Sequence, residues 1–158
     1  MDKNFDFAVN MTLRREGVLC NDPNDRGGLT KYGISKNAYP NLDICNLTQS
    51  DAIAIYERDY WDKAKCDFLP FPLDVLTFDA AVNHGVVPAI KILQRALGVS
   101  DDGIIGPKTL DAARNAPDNI CTLYFIERMY AYSKAPTYST HGKGWRNRLK
   151  AISKELMI

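Results

Sequence analysis

Three residues near the start of the chain are spaced for acid chemistry. The apolar positions Phe5, Val9 and Leu13 recur at i, i+4 and i+8, and Glu16 falls on or beside the face they turn inward. A carboxylate there is costly unless it has a partner or a purpose. It also stands in the last turn of the expected helix, beside the negative end of the helix dipole. Partial burial and that dipole both favour the protonated form, which is the state a general acid needs. Arg14 and Arg15 oppose the shift, and by position alone a surface glutamate paired with an arginine is the better assignment.

Two residues further along the chain change that balance. Asp25 comes nine residues later and Thr30 five after it, inside a polar stretch dense in turn formers. A helix-end glutamate facing an aspartate and a threonine on a neighbouring hairpin sets an acid opposite groups that hold water. Glycosidic bond cleavage uses such an arrangement: one carboxyl protonates the leaving oxygen, and the other side activates water or supports positive charge at the anomeric carbon. Gly27 and Gly28 let the backbone turn and approach closely, as they would in any tight turn.

The elements that must position these residues read as mostly helical. The first helix starts near Phe5 and is capped by Gly17, with Arg14 and Arg15 complementing its dipole. Residues 20–35 read as a loop or small hairpin with a short strand at Thr30–Ile34. Thr48 opens the second helix with Asp51 as its capping-box partner, running through Ala52, Ile55, Tyr56 and Trp61. After Pro70 and Pro72 a third helix runs from Leu73 through Leu76, Ala80 and Asn83 to Gly85. Pro88 suits the first turn of a fourth, with Ile92, Leu93, Ala96 and Leu97 inward and Gly98 at its end. Pro107 starts a shorter helix after the DDGIIG turn. Asp118 caps a longer one carrying Ile120, Leu123, Ile126 and Tyr130, and Trp145, Leu149, Ile152 and Leu156 form the last stripe. The fold class is mainly α, about seven helices around one core with a small β-hairpin or loop insert beside Glu16.

Composition narrows the function classes. At 158 residues the chain suits one domain, with 46% hydrophobic and 25% charged residues excluding wholesale disorder. The net charge of +1 gives no electrostatic case for nucleic acid or an anionic membrane as partner. No stretch is apolar for long enough to span a bilayer, and MDKNFDFAVN does not read as an export signal, so synthesis in the cytoplasm without a signal peptide is expected. Cys20, Cys45, Cys66 and Cys121 form no C-x-x-C pair, and free thiols are preferred to disulfides. His84 and His141 make neither an H-x-x-x-H nor an H-E-x-x-H set, so no metal or other cofactor is expected.

The run REGVLCNDPNDRGGLTKYGIS resembles the opening of glycoside hydrolase family 108, the muramidases of phage endolysins and some bacterial secretion systems. The matching positions are Glu16 and Gly17, Asp22 and Pro23, Asp25 with Gly27 and Gly28, then Thr30, Gly33 and Ile34. The resemblance implies a lysozyme-like helical fold with Glu16 as the catalytic acid. Asp25 and Thr30 carry over more softly, since their spacing also resembles the Glu, Asp and Thr set of phage-type lysozymes. Val18 departs from the pattern, standing where the family usually has a second Gly. The segment DYWDKAKCDFLPFPLDVLTFDAAVNHG is similar to the family's aromatic helix and its Phe-Asp…Asn-His-Gly motif, here Phe78, Asp79, Asn83, His84 and Gly85. Asp79 and Asn83, four apart, share a helix face and are candidates for substrate binding or for satisfying buried backbone groups. Tyr32, beside Thr30, is a candidate for stacking on sugar.

Further on, LQRALGVSDDGIIGPKTLDAA resembles small helical peptidoglycan-binding modules at Leu93, Gln94, Leu97, Gly98, Asp102, Gly103, Gly106 and Thr109. The likeness implies a catalytic lobe at about residues 1–86, a wall-binding lobe at about 87–158, and peptidoglycan glycan strands as the partner of a monomer. The expected activity is an N-acetylmuramidase acting in the periplasm or cell wall. A lytic transglycosylase using the same glutamate stays open, as does a binding module without catalysis marked by Val18. Inversion or retention turns on a carboxylate separation of roughly 6.5–9.5 Å or 5–5.5 Å.

Overall fold

Helices built on the stripes above pack around a third helix that is buried on nearly every side. The structure, a computed structural model, describes residues 3–16, 19–20 and 29–158, except for the side chains of Glu16, Leu19 and Cys20. Gly17 and Val18, Asp22 and Pro23, Asp25, Gly27 and Gly28 lie outside the described residues. In chain order the elements are α1 (Lys3–Glu16), β1 (Leu19–Cys20), β2 (Thr30–Lys31), β3 (Ile34–Ser35), α2 (Gln49–Tyr56), α3 (Leu73–His84), α4 (Val86–Ala96), α5 (Pro107–Arg114), α6 (Ile120–Ser133) and α7 (Tyr138–Leu156). The fold is mainly α, as the sequence reading expects. No helix among the described residues is long and apolar enough to cross a membrane.

Local chemistry explains most boundaries. Thr48 accepts a hydrogen bond from the Asp51 backbone N–H while the Asp51 carboxylate accepts from that of Thr48, a complete capping box. Helix α2 continues through a π-helical turn, Glu57–Trp61, to bring Trp61 into the core. Pro107 is the first residue of α5, where its missing N–H is harmless. Gly98 and Gly103 both have positive φ, and the turn around Gly103 is tied down by Gln94. The Gln94 side chain accepts from Gly103 N at 2.8 Å and donates to Asp102 Oδ1 at 2.7 Å. The Leu-Gln and Asp-Gly parts of that motif are therefore one structural unit.

Leu73 through Ala81 are all buried, including the polar Asp74, Thr77 and Asp79, so this helix is the centre of the core rather than an amphipathic surface helix. Against α3 sits an aromatic knot in which Phe5, Trp61 and Phe78 meet edge to face at centroid distances of 5.4–6.0 Å. One buried hydrophobic cluster runs from Phe5 to Leu156.

Three details differ from the sequence reading. The strand at Thr30–Ile34 is split into β2 and β3 by a two-residue turn, with Tyr32 at φ 53° and Gly33 at φ 79°. With β1 they make a three-stranded antiparallel sheet in the order β1-β2-β3. The cap of α6 is Asn119 rather than Asp118. Most important, the buried stripe of α6 is Ile120, Tyr124, Arg128 and Tyr132, while Ile126 and Tyr130 are exposed. Both series fit a helical period. The amphipathic ends of tyrosine and arginine find polar partners inside, so they win the core face over isoleucine.

Candidate functional site

Glu16 is the last residue of α1, and the sheet comes directly after it in the chain. Thr30 lies in the central strand, half-buried, opposite Cys20 on one side and Ser35 on the other. Asp25 lies outside the described residues. The turn after Thr30 is fixed from below: the Tyr56 hydroxyl donates to the Tyr32 carbonyl at 2.9 Å. Lys31 Nζ donates to Cys45 O at 2.8 Å and sits 5.8 Å from the Tyr32 ring centroid. The left-handed backbone of Tyr32 is thus held by two neighbours, leaving its half-buried ring beside Thr30.

The end of α1 is anchored by a residue that spacing alone did not single out. Arg15 Nη1 is 3.3 Å from Asp79 Oδ1 and its Nη2 is 2.9 Å from Glu155 Oε1. Arg14 also reaches Glu155, at 2.8 Å. The two arginines read as partners of the helix dipole therefore tie α1 to α3 and α7. Asp79 has no solvent exposure and is held by three guanidiniums. Arg128 Nη2 lies 2.6 Å from Oδ2, Arg148 Nη2 lies 2.9 Å from Oδ1, and Arg148 Nε donates to both oxygens at 3.1 Å. Burial by itself would raise the Asp79 carboxyl, but Arg128 and Arg148 outweigh it and hold the group below the usual carboxylate range. Asp79 is a buried anchor whose reach toward any ligand runs through the arginines it holds.

Asn83, one turn further along α3, is half-buried and accepts from the Tyr132 hydroxyl at 2.6 Å. Tyr124, Arg128 and Tyr132 on α6 meet Leu76, Asp79 and Asn83 on α3 as successive rungs, so the two helices run in the same direction here. The Tyr132 ring is stacked on Trp145 at 4.7 Å and 13°, and the His84 ring also packs on it at 4.5 Å. Burial, then the Arg128 charge, push the His84 pKa down to about 4. It is a neutral packing residue at ordinary pH.

Arg15, Asn83, Gly144, Trp145, Asn147 and Arg148 line a groove of about 430 Å³ where the ends of α1 and α3 meet α7. The signal for Arg128 was present in the sequence as an arginine in an aromatic i+4 series. Arg148 and Trp145 carried none beyond the final stripe. No three His, Cys, Asp or Glu side chains cluster as a metal set among the described residues. Cys45, Cys66 and Cys121 are free thiols.

Comparison with known proteins gives this architecture a family. Residues 9–85 match the model described as "Glycosyl hydrolase 108", and residues 88–150 match a "Predicted Peptidoglycan domain". Among solved structures, SagA of Brucella abortus is similar at 32% identity and a TM-score of 0.89, covering 99% of this chain and 95% of that one. Among curated proteins nothing matches. The chain therefore belongs to the glycosyl hydrolase 108 family, a glycoside hydrolase with a peptidoglycan-type C-terminal part.

Proposed function

We propose that the protein is an N-acetylmuramidase that cuts the β-1,4 bond between N-acetylmuramic acid and N-acetylglucosamine. Glu16 is the general acid, while Asp25 and Thr30 position water or support the developing cation. Tyr32 and Asn83 contact the sugars, and Asp79 positions the end of α1 through Arg15. The observation that carries this reading is the family match across α1, the sheet and α3, with Glu16 at the end of a helix clamped by a buried ion cluster. A clamp on Arg15 restrains the residue next to it, which suits a group that must meet a leaving oxygen within hydrogen-bond reach. Residues from about 87 onward hold the strand, and the protein acts as a monomer on the wall in lysis or remodelling.

The products of purified peptidoglycan, resolved by mass spectrometry, test the reaction type. Reducing muramic acid ends are expected. Anhydromuramic ends would make the protein a lytic transglycosylase, and binding to sacculi without products would make it a wall-binding module.

A further inference from the structure

The outer face of α7 carries a row of cations beside apolar side chains that the core does not use. Lys143, Arg146, Lys150 and Lys154 follow one another at i, i+3, i+7 and i+11, one stripe of a helix, and all four are exposed. Among the described residues no carboxylate pairs with any of them. Glu155, the one acid of α7, is taken by Arg14 and Arg15 of α1. Arg148 lies on the far side of the helix with Asp79 and is no part of the row. The apolar part comes from α6. Ile126 and Tyr130 stay outside the core, whose face is filled by Tyr124 and Arg128, and they stand 57% and 55% exposed. Phe125 and Met129, half-buried, join Leu149 of α7 in an open groove of about 320 Å³ that Arg146 and Lys150 also line. A further cation, Lys134, has its Nζ 5.0 Å from the centre of the Tyr130 ring.

The net charge of +1 is a sum over the whole chain, whereas salt screens charge beyond roughly 8–10 Å. A partner at this face therefore meets the local cations and not the distant acids that balance them. An acidic protein would need a shaped seat for its side chains. This face offers protruding apolar tips, a shallow groove and a row of flexible cations instead. That combination, with a tyrosine among the exposed tips, suits the boundary between lipid headgroups and acyl chains. We propose that the α6–α7 face is a docking surface for an anionic lipid bilayer. Ile126 and Tyr130 enter the headgroup boundary, and Lys143, Arg146, Lys150 and Lys154 meet the lipid phosphates. The contact is peripheral, since no described helix is long and apolar enough to cross a membrane. It does not rest on the muramidase reading.

The test is co-sedimentation of the full chain with vesicles of phosphatidylcholine alone and of phosphatidylcholine mixed with phosphatidylglycerol. Binding to the mixed vesicles is expected, weakening as salt is raised, with little binding to the neutral ones. Each cation at an anionic surface contributes about fivefold in affinity, so Arg146→Gln/Lys150→Gln should bind on the order of thirtyfold more weakly. Ile126→Ser, at an exposed position, should weaken binding severalfold with the unfolding midpoint unchanged. Lys108→Gln/Arg114→Gln removes the same charge from exposed positions of α5 and should bind as wild type does. No binding of wild type to the mixed vesicles, or an equal loss in the two double variants, overturns the proposal. So does equal binding to soluble polyglutamate that Ile126→Ser leaves untouched, which would make the partner an acidic polymer or protein. A peptidoglycan digest reads the reaction separately, since none of these positions belongs to the proposed catalytic set.

Discussion

Asp79 Oδ2 lies 2.6 Å from Nη2 of Arg128, with neither side chain exposed to solvent. The pair joins α3 to α6, and Arg15 and Arg148 extend it to α1 and α7. A charge pair this deep persists only while both members are present, because either one alone is an unscreened buried ion.

Asp79→Ala should therefore destabilise the fold by about 3–5 kcal/mol, the range for breaking a buried pair from one side. Arg128 would be left with no carboxylate at 2.6 Å, and its Nε and Nη1 already lack a hydrogen-bond partner among the described residues. Urea unfolding of the variant against wild type measures this. A change within about 0.5 kcal/mol, typical of surface substitutions, would show that the cluster is not structural.

Acid should weaken the fold in two stages. His84 has its pKa depressed to about 4, and it faces Arg128 from α6, Arg148 from α7, and Asp79 and Tyr132. The unfolded chain binds a proton near its ordinary value of about 6.5, so stability falls as pH drops from there to about 4. Asp79 is depressed as well, so its contribution is intact above the ordinary carboxylate range and is lost as pH falls through its lower folded value. Urea midpoints across pH 3–8 check this, and His84→Asn should flatten the upper stage alone.

Gly33→Ala tests the turn that presents Thr30 and Tyr32. At φ 79° an added Cβ costs about 1–2 kcal/mol. The expected result is a small drop in midpoint with a larger fractional loss of activity, because strain there shifts the central strand that carries Thr30. Equal activity per folded molecule would remove the turn from the site.

Tyr132→Phe leaves the Asn83 carbonyl oxygen without its 2.6 Å donor. A loss of about 1 kcal/mol in stability is expected. The KM for soluble glycan should rise with kcat little changed, as befits a residue that orients a binding group. A fall in kcat alone would contradict that role.

The helices were legible because their signals are local. Thr48 with Asp51, Pro107, Gly85 and Gly98 act within a turn or two, and each marks a boundary in the structure. The α6 face was not legible, since choosing between Ile126 and Arg128 for the core depends on Asp79, which is 49 residues away in sequence. Asp79 and Asn83 share a face of α3 as their spacing predicts, and the i+4 series of Tyr124, Arg128 and Tyr132 is visible in α6, yet nothing in either spacing pairs the two helices or brings in Arg148. Glu16 stands out by its place beside the apolar face of the first helix, Asp25 and Thr30 by the polar stretch that follows, and all three by the family pattern. Their roles therefore rest on the reaction they are proposed to perform.

The most direct test of that reaction compares Glu16→Gln with wild type on purified peptidoglycan, scoring reducing muramic acid ends per folded molecule. Glutamine keeps the shape and removes the proton donor. The account predicts a loss of turnover of roughly 10²–10⁴-fold with sacculus binding and unfolding midpoint preserved. A folded Glu16→Gln protein that releases reducing ends at the native rate would contradict it.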